Sequence, residues 1–292
     1  MRRLRRHPIT CYLAITFAVT WGAWLPLAVT GRGVTIGFTP LYLLGLIGPA
    51  VGAVVTTAIV AGTAGLRALG ARMLRVRTGA RWWAIALGLP LGVALVIGAG
   101  AVLLATFGIA GLHPWAVFGA FNGFPVASPV VLWVMLVIVN GFGEETGWRG
   151  YLLPHLQRRW SPLVSSLIIG AVWCAWHVPA FFVTETYRQM PPAMIPMFFV
   201  GIVSGSVVLA WLYNRGRSSI LLVAVWHGTY NWLSGSVGAR GMLAAVETTA
   251  VMVIAAIVLI QELRAIRRER RGQLATHVMA PTRMIAVPRA VW

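Results

Sequence analysis

The sequence predicts an all-α integral membrane protein with about eight transmembrane helices and both termini in the cytoplasm. Three observations predict this. Of the 292 residues, 59% are hydrophobic and the mean hydropathy is +0.80, well above an ordinary soluble domain. Several apolar runs exceed about 18 residues, long enough to cross a hydrocarbon core about 30 Å thick. The basic residues, all arginine, lie between these runs instead of in one block, which is how topology signals are distributed. A net charge of +18 would suit a nucleic-acid partner. The dispersal of that charge argues against one and for contact with anionic lipids at the basic cytoplasmic loops.

In chain order the apolar segments are 9–30, 40–62, 82–108, 129–153, 162–183, 194–213, 218–236 and 242–261. Each should be helical, because in lipid every backbone polar group must be satisfied within its own segment. The first follows Met1-Arg2-Arg3-Leu4-Arg5-Arg6. It is too long for the core of a cleaved signal peptide and is read as a span. The chain thus divides into a basic N-terminus (1–8), a membrane domain (9–261, core 129–236) and a basic tail (262–292). Assigned to their nearest connections, 21 arginines fall on one side, at the N-terminus, 63–81, 149–159, 214–217 and the tail. Only Arg32, Arg188 and Arg240 fall on the other, which places the arginine-rich side in the cytoplasm of a multi-pass cell-membrane protein. Within 63–81, Leu66, Leu69, Met73 and Leu74 alternate with Arg67, Arg72, Arg75 and Arg77. Two readings stand for it, an interfacial amphipathic helix or a loop carrying positive charge. The uncharged 109–128 connection is expected along the outer interface, and the tail from Gln261 turns irregular after its Arg264–Arg271 cluster.

The chemistry concentrates in the fourth, fifth and seventh segments. All six acidic residues are glutamates, and two of them, Glu144 and Glu145, are adjacent at the end of an apolar run. An ionisable group inside a span costs about 2.5–3.5 kcal/mol on insertion scales and marks a functional site by default. Glu145 and Arg149 are spaced i,i+4 with Glu first, the favourable order for an ion pair on one helix face. Glu144 points about 100° away. Trp173-x-x-x-His177 lies in the fifth segment and His227-x-x-x-Asn231 in the seventh. Taken singly, each has a bland reading: a packed histidine, an asparagine bonding between helices, an arginine that snorkels. The adjacent carboxylates resist one, because each raises the cost of charging the other.

Glu-Glu-x-x-x-Arg, aromatic-x-x-x-His and His-x-x-x-Asn, in this order on separate spans, resemble the CPBP/Abi family. Its branches include the type II CAAX prenyl endopeptidases and bacterial bacteriocin-processing and self-immunity proteins. Trp173 stands where that pattern commonly has Phe. The resemblance implies intramembrane peptide hydrolysis of a membrane-anchored substrate, prenylated or not. Glu144 and His177 would activate water, His227 and Asn231 would face the substrate carbonyl, and Arg149 would hold Glu145. Two chemistries remain open. Glu144, His177 and His227 form a reasonable set for zinc or another divalent metal, and a metal-free glutamate mechanism uses the same residues. Three rivals are a Cys174–His177 nucleophile pair, a proton-coupled transporter and a non-catalytic immunity or scaffold protein. No internal repeat or paired interrupted helices support transport.

Overall fold

The computed structural model describes residues 6–31, 34, 39–108, 118–121, 128–236, 239 and 242–279. They form α1 (Pro8–Thr30), a short α2 (Thr39–Leu46), α3 (Gly48–Met73), α4 (Ala80–Thr106), α5 (Pro129–Leu156), α6 (Pro162–His177), α7 (Ile195–Arg215), α8 (Ile220–Gly235) and α9 (Met242–Met279). A 3₁₀ turn, Val178–Phe182, prolongs α6, and a single helical turn follows at Glu185–Arg188. Among the described residues there is no strand element, and the protein is an all-α, multi-pass membrane protein.

Seven helices among the described residues are long and apolar enough to cross a membrane. The seventh predicted segment is α8, whose 16 residues give only about 24 Å of rise. It is the most enclosed helix, with Ile220, Leu222, Val223 and Ala224 at 0% exposure. A helix walled in by protein need not match the thickness of lipid. Prolines and serines fix several starts. Ser161 Oγ accepts from Val164 N at 3.3 Å with Pro162 in the first turn, and Ser219 Oγ accepts from Leu222 N at 3.1 Å. Both are N-caps of the expected kind.

The 63–81 stretch is helical to Met73, set off by a break at Gly62 (φ 60, ψ −153), a backbone region open essentially to glycine alone. Beyond the break Leu69 is buried against Gly150 and Ile220, while Arg67 stays exposed. Two expectations need correction. The tail does not turn irregular directly after the Arg264–Arg271 cluster, because α9 continues through it to Met279. Arg149 belongs to no cytoplasmic loop: α5 runs on to Leu156 and the Arg149 side chain is 0% exposed. It drops out of the arginine partition. The 109–128 connection, apart from 118–121, and the tail beyond 279 lie outside the described residues.

One end of the bundle core is aromatic. Trp176 Nε1 donates to Thr20 Oγ1 (2.8 Å), whose hydroxyl donates to the Gly45 carbonyl (2.7 Å). Trp24 and Trp148 pack on Trp176 at ring distances of 4.9 and 6.2 Å. This ties α1, α2 and α6 to the middle of α5, the helix that carries the glutamate pair.

Candidate active site

The α5 helix is not uniform. Two π-helical stretches, Val137–Phe142 and Trp148–Leu152, flank the α-helical Gly143–Gly147. Wider π turns re-aim the side chains between them and recur at functional sites. Glycines let neighbours close on this segment. A Cβ at Gly141 would lie 2.4 Å from the Ala224 carbonyl oxygen on α8, and one at Gly147 would lie 2.5 Å from the Pro49 carbonyl oxygen on α3. Gly228 answers from α8, where a Cβ would lie 2.6 Å from the Val137 backbone. Small residues at such crossings let membrane helices touch through their backbones. Here they bring α8 near enough for His227 to reach Glu145.

The two carboxylates face different partners, as their helical offset implies. Glu145 Oε1 accepts from Arg149 Nη1 at 2.9 Å and from His227 Nδ1 at 2.8 Å. Glu144 Oε2 accepts from Trp173 Nε1 at 2.7 Å. Both glutamates are buried, at 2% and 0% exposure. Arg149 is held on three sides: by Glu145, by the Ser206 carbonyl on α7 (3.4 Å) and by the face of Trp173, 4.9 Å from its Cζ. Ser206 in turn donates to the Ser166 carbonyl on α6 at 2.8 Å.

Trp173 is the hub. Besides Glu144 and Arg149, it packs against His177 at 5.8 Å and His227 at 5.5 Å between ring centroids. His177 Nδ1 lies 2.9 Å from the Trp173 carbonyl, an acceptor only, so Nδ1 carries the proton and Nε2 holds the free lone pair. His227 Nδ1 likewise donates to the Glu145 carboxylate, which leaves its Nε2 open. Asn231, one turn along α8, is half-buried and makes no hydrogen bond among the described residues. Its amide stays available, yet no contact joins it to the others.

The remaining sequence-level candidates fall out differently. Among the described residues no group of three or more His, Cys or Glu side chains is gathered closely enough to hold a metal ion. Ligand atoms must reach about 2.0–2.2 Å from zinc, whereas Glu144 is turned to an indole N–H and both imidazoles pack on Trp173. The arrangement does not fit a metal held by Glu144, His177 and His227. The Cys174 thiol donates to the Phe199 carbonyl at 3.7 Å instead of pairing with His177.

Three participants carried weak sequence signals or none. Ser206 acts partly through its backbone, which composition cannot reveal. Tyr187, in the turn after α6, stands 6.5 Å from His177 and stacks on Phe181 at 5.3 Å. Burial, and then the Glu144 charge, push its phenol well above the ordinary value, so it keeps its proton and remains a donor. Glu247 on α9 is 2% exposed with Oε1 unpartnered. The rule that singles out Glu144 and Glu145, an acid inside a span, applies to it equally.

Two comparisons bear on what this arrangement is. Residues 126–233 match the family model described as type II CAAX prenyl endopeptidase Rce1-like, a range holding every residue of the hub. The chain is also 27% identical over 145 residues to CAAX prenyl protease 2 of Methanococcus maripaludis, covering 48% of this chain and 54% of that protein. The aligned part thus spans about half the length of the curated relative. Three helices converge on Trp173, and the range that resembles the type II CAAX prenyl endopeptidase Rce1-like model, residues 126–233, covers that convergence.

Proposed function

We propose that the protein is an intramembrane endopeptidase of the Rce1 type, cleaving a peptide bond of a membrane-associated substrate with water activated by its own glutamate and histidine side chains. The observation that carries this reading is the buried pair of adjacent glutamates with separate partners, Trp173 for Glu144 and Arg149 with His227 for Glu145. Splitting two neighbouring carboxylates between different environments is how a site assigns them different roles.

In the proposed sequence Glu144 accepts a proton from water as the water oxygen bonds to the scissile carbonyl carbon. The His177 Nε2 lone pair assists by accepting a hydrogen bond from the same water. Charge develops on the carbonyl oxygen, to which the Asn231 amide N–H donates, with the open edge of His227 alongside. Stabilising such an oxyanion in a water-poor pocket is commonly the largest single contribution to rate. Collapse breaks the C–N bond, and Glu144 returns its proton to the leaving amine nitrogen. Glu145 touches no reacting atom in this scheme; it fixes the ring of His227. The relative's name, CAAX prenyl protease 2, points to a prenylated protein as substrate.

The test is cleavage of a farnesylated C-terminal tetrapeptide-bearing substrate by the purified full chain in lipid vesicles, with an unprenylated copy and Glu144→Gln alongside. Wild type should release the tripeptide and Glu144→Gln should lose about a thousandfold, within the 10²–10⁴ that one general base commonly contributes. Equal cleavage by the variant would overturn the assignment of Glu144. Absence of cleavage by wild type, with substrate or proton flux instead, would favour transport.

A further inference from the structure

Well away from the glutamates, the arginine-rich end of the bundle carries a concavity of about 490 Å³ lined by Ala71, Leu74, Arg75, Val76, Arg77 and Arg217. Three of these residues are arginines, and among the described residues no glutamate lines the space. Among the described residues none of the three has a carboxylate within ion-pair distance, the ion pairs there being those of Glu145. Like charges gathered without counter-charge repel, so this end has an unmet requirement for an anion.

The concavity is built and not merely a loop surface. Arg217 and Ser218 both take left-handed backbone, at φ 55 and 58, an uncommon state for non-glycine residues that persists only where surroundings enforce it. The enforcing contacts are present. Ser218 N donates to the Tyr213 carbonyl at 2.9 Å, and Ser219 Oγ donates to the Arg75 carbonyl at 2.6 Å. Arg75 in turn donates from Nη1 to the Arg217 carbonyl. The two arginine-bearing segments are therefore tied together across the opening. Among the described residues, the Arg77 side chain makes no hydrogen bond.

The rim identifies the kind of anion. Leu74 and Val76, alternating with the arginines, are 78% and 60% exposed, unfavourable in water and well placed beside hydrocarbon. Trp83 donates to the Val76 carbonyl at 2.9 Å and Arg81 lies over Trp82. Tryptophan and arginine together mark the headgroup level of a bilayer. A free phosphate would satisfy the arginines and leave Leu74 and Val76 unexplained. We propose that this concavity binds one anionic phospholipid, its phosphodiester held by Arg75, Arg77 and Arg217 and its acyl chains laid against Leu74 and Val76. Planar guanidinium forks suit a phosphate diester.

The test is native mass spectrometry of the detergent-purified full chain, with phosphatidylglycerol or phosphatidylcholine added, and with inorganic phosphate as competitor. Arg77→Gln/Arg217→Gln is the test variant, both side chains being exposed. Arg264→Gln/Arg267→Gln, on the exposed extension of α9, removes the same charge elsewhere. The expected result is one retained phosphatidylglycerol, at least tenfold preferred over phosphatidylcholine, lost in the first variant and kept in the second, with phosphate unable to displace it. Equal loss in both variants would mean diffuse attraction, and displacement by phosphate a site for free anions. Undiminished retention in the first variant would place the lipid elsewhere. Any of these three overturns the proposal.

Discussion

An indole at position 173 does what a phenyl ring there would not: it donates a hydrogen bond to Glu144, at 2.7 Å, while its face supports Arg149. Trp173→Phe keeps the wall and the cation–π contact and removes only the donor. A hydrogen bond to a charged group is worth about 1.5–3 kcal/mol. Turnover should therefore fall roughly 10- to 150-fold with folded yield unchanged; unchanged turnover would show that Glu144 is positioned by something else. Arg149 makes a second case. Lysine keeps the charge but has a single point donor in place of a planar fork, so it cannot serve Glu145 and the Ser206 carbonyl together while lying on Trp173. Arg149→Lys is expected to insert normally and lose activity, and Arg149→Ala to lose stability as well, by about 3–5 kcal/mol for a buried partner left unpaired. Wild-type turnover in the lysine variant, normalised to folded protein, would show that a positive charge alone, without the planar fork, suffices to hold Glu145. These polar residues were legible in the sequence because hydrocarbon makes every charge expensive, so Glu144, Glu145, His177 and His227 stood out against their background. Trp173 was legible only as an aromatic wall, since its indole N–H acts through a three-dimensional encounter with Glu144. Tyr187 was not legible, since a tyrosine in a connecting turn is unremarkable until folding sets it near His177.

At the scale of elements, the site depends on how closely α5 and α8 approach. Gly141 meets the backbone of Ala224, and Gly228 meets that of Val137, so the two helices are apposed through matched gaps. Gly228→Ala would place its Cβ 2.6 Å from the Val137 backbone, where no flexible side chain can yield. The helices must separate, which costs about 1–3 kcal/mol for overpacking, and the bond from His227 to Glu145 should lengthen with them. Gly88→Ala in α4 meets nothing within 4 Å and serves as the control. Thermal unfolding in detergent should show a lowered midpoint for the first variant and little change for the second; equal midpoints would mean that the crossing tolerates expansion. The apolar runs located these helices well, because span length and hydropathy are local properties. The π-helical stretches that flank Gly143–Gly147 were not foreseeable from apolar runs, which do not distinguish π from α turns. The same holds for Arg149: its charge was counted with the connection after the fourth segment, whereas it is neutralised inside the bundle and the helix continues to Leu156.

For the whole molecule, the path of α8 decides the topology. Its first turn lies beside the arginine-rich connections, with Ser219 bonded to Arg75 and Ile220 packed on Gly150. At its other end Trp232 Nε1 donates to the Phe118 carbonyl at 3.0 Å, and Gly235 abuts Phe121. Phe118 and Phe121 belong to the connection between α4 and α5, at the opposite end of the bundle from 63–81. Though only 16 residues long, α8 thus runs from one end of the bundle to the other, and among the described residues it makes eight traversals together with the seven longer helices. An even number returns α9 to the end where α1 begins. That end holds the arginines, even after Arg149 is removed from the count, and positive charge flanking spans is retained in the cytoplasm. We therefore expect both ends of the chain in the cytoplasm. Green fluorescent protein fused after Trp292 should fluoresce, while alkaline phosphatase at the same point should be inactive and alkaline phosphatase inserted after Phe121 should be active. Phosphatase activity from the fusion after Trp292 would mean an odd number of crossings, with α8 failing to cross the bilayer although it crosses the bundle. Arg75, Arg77, Arg217 and the glutamate pair all precede α8 in the chain, so the proposed lipid contact and the site would keep their orientation and only α9 and the tail would change sides.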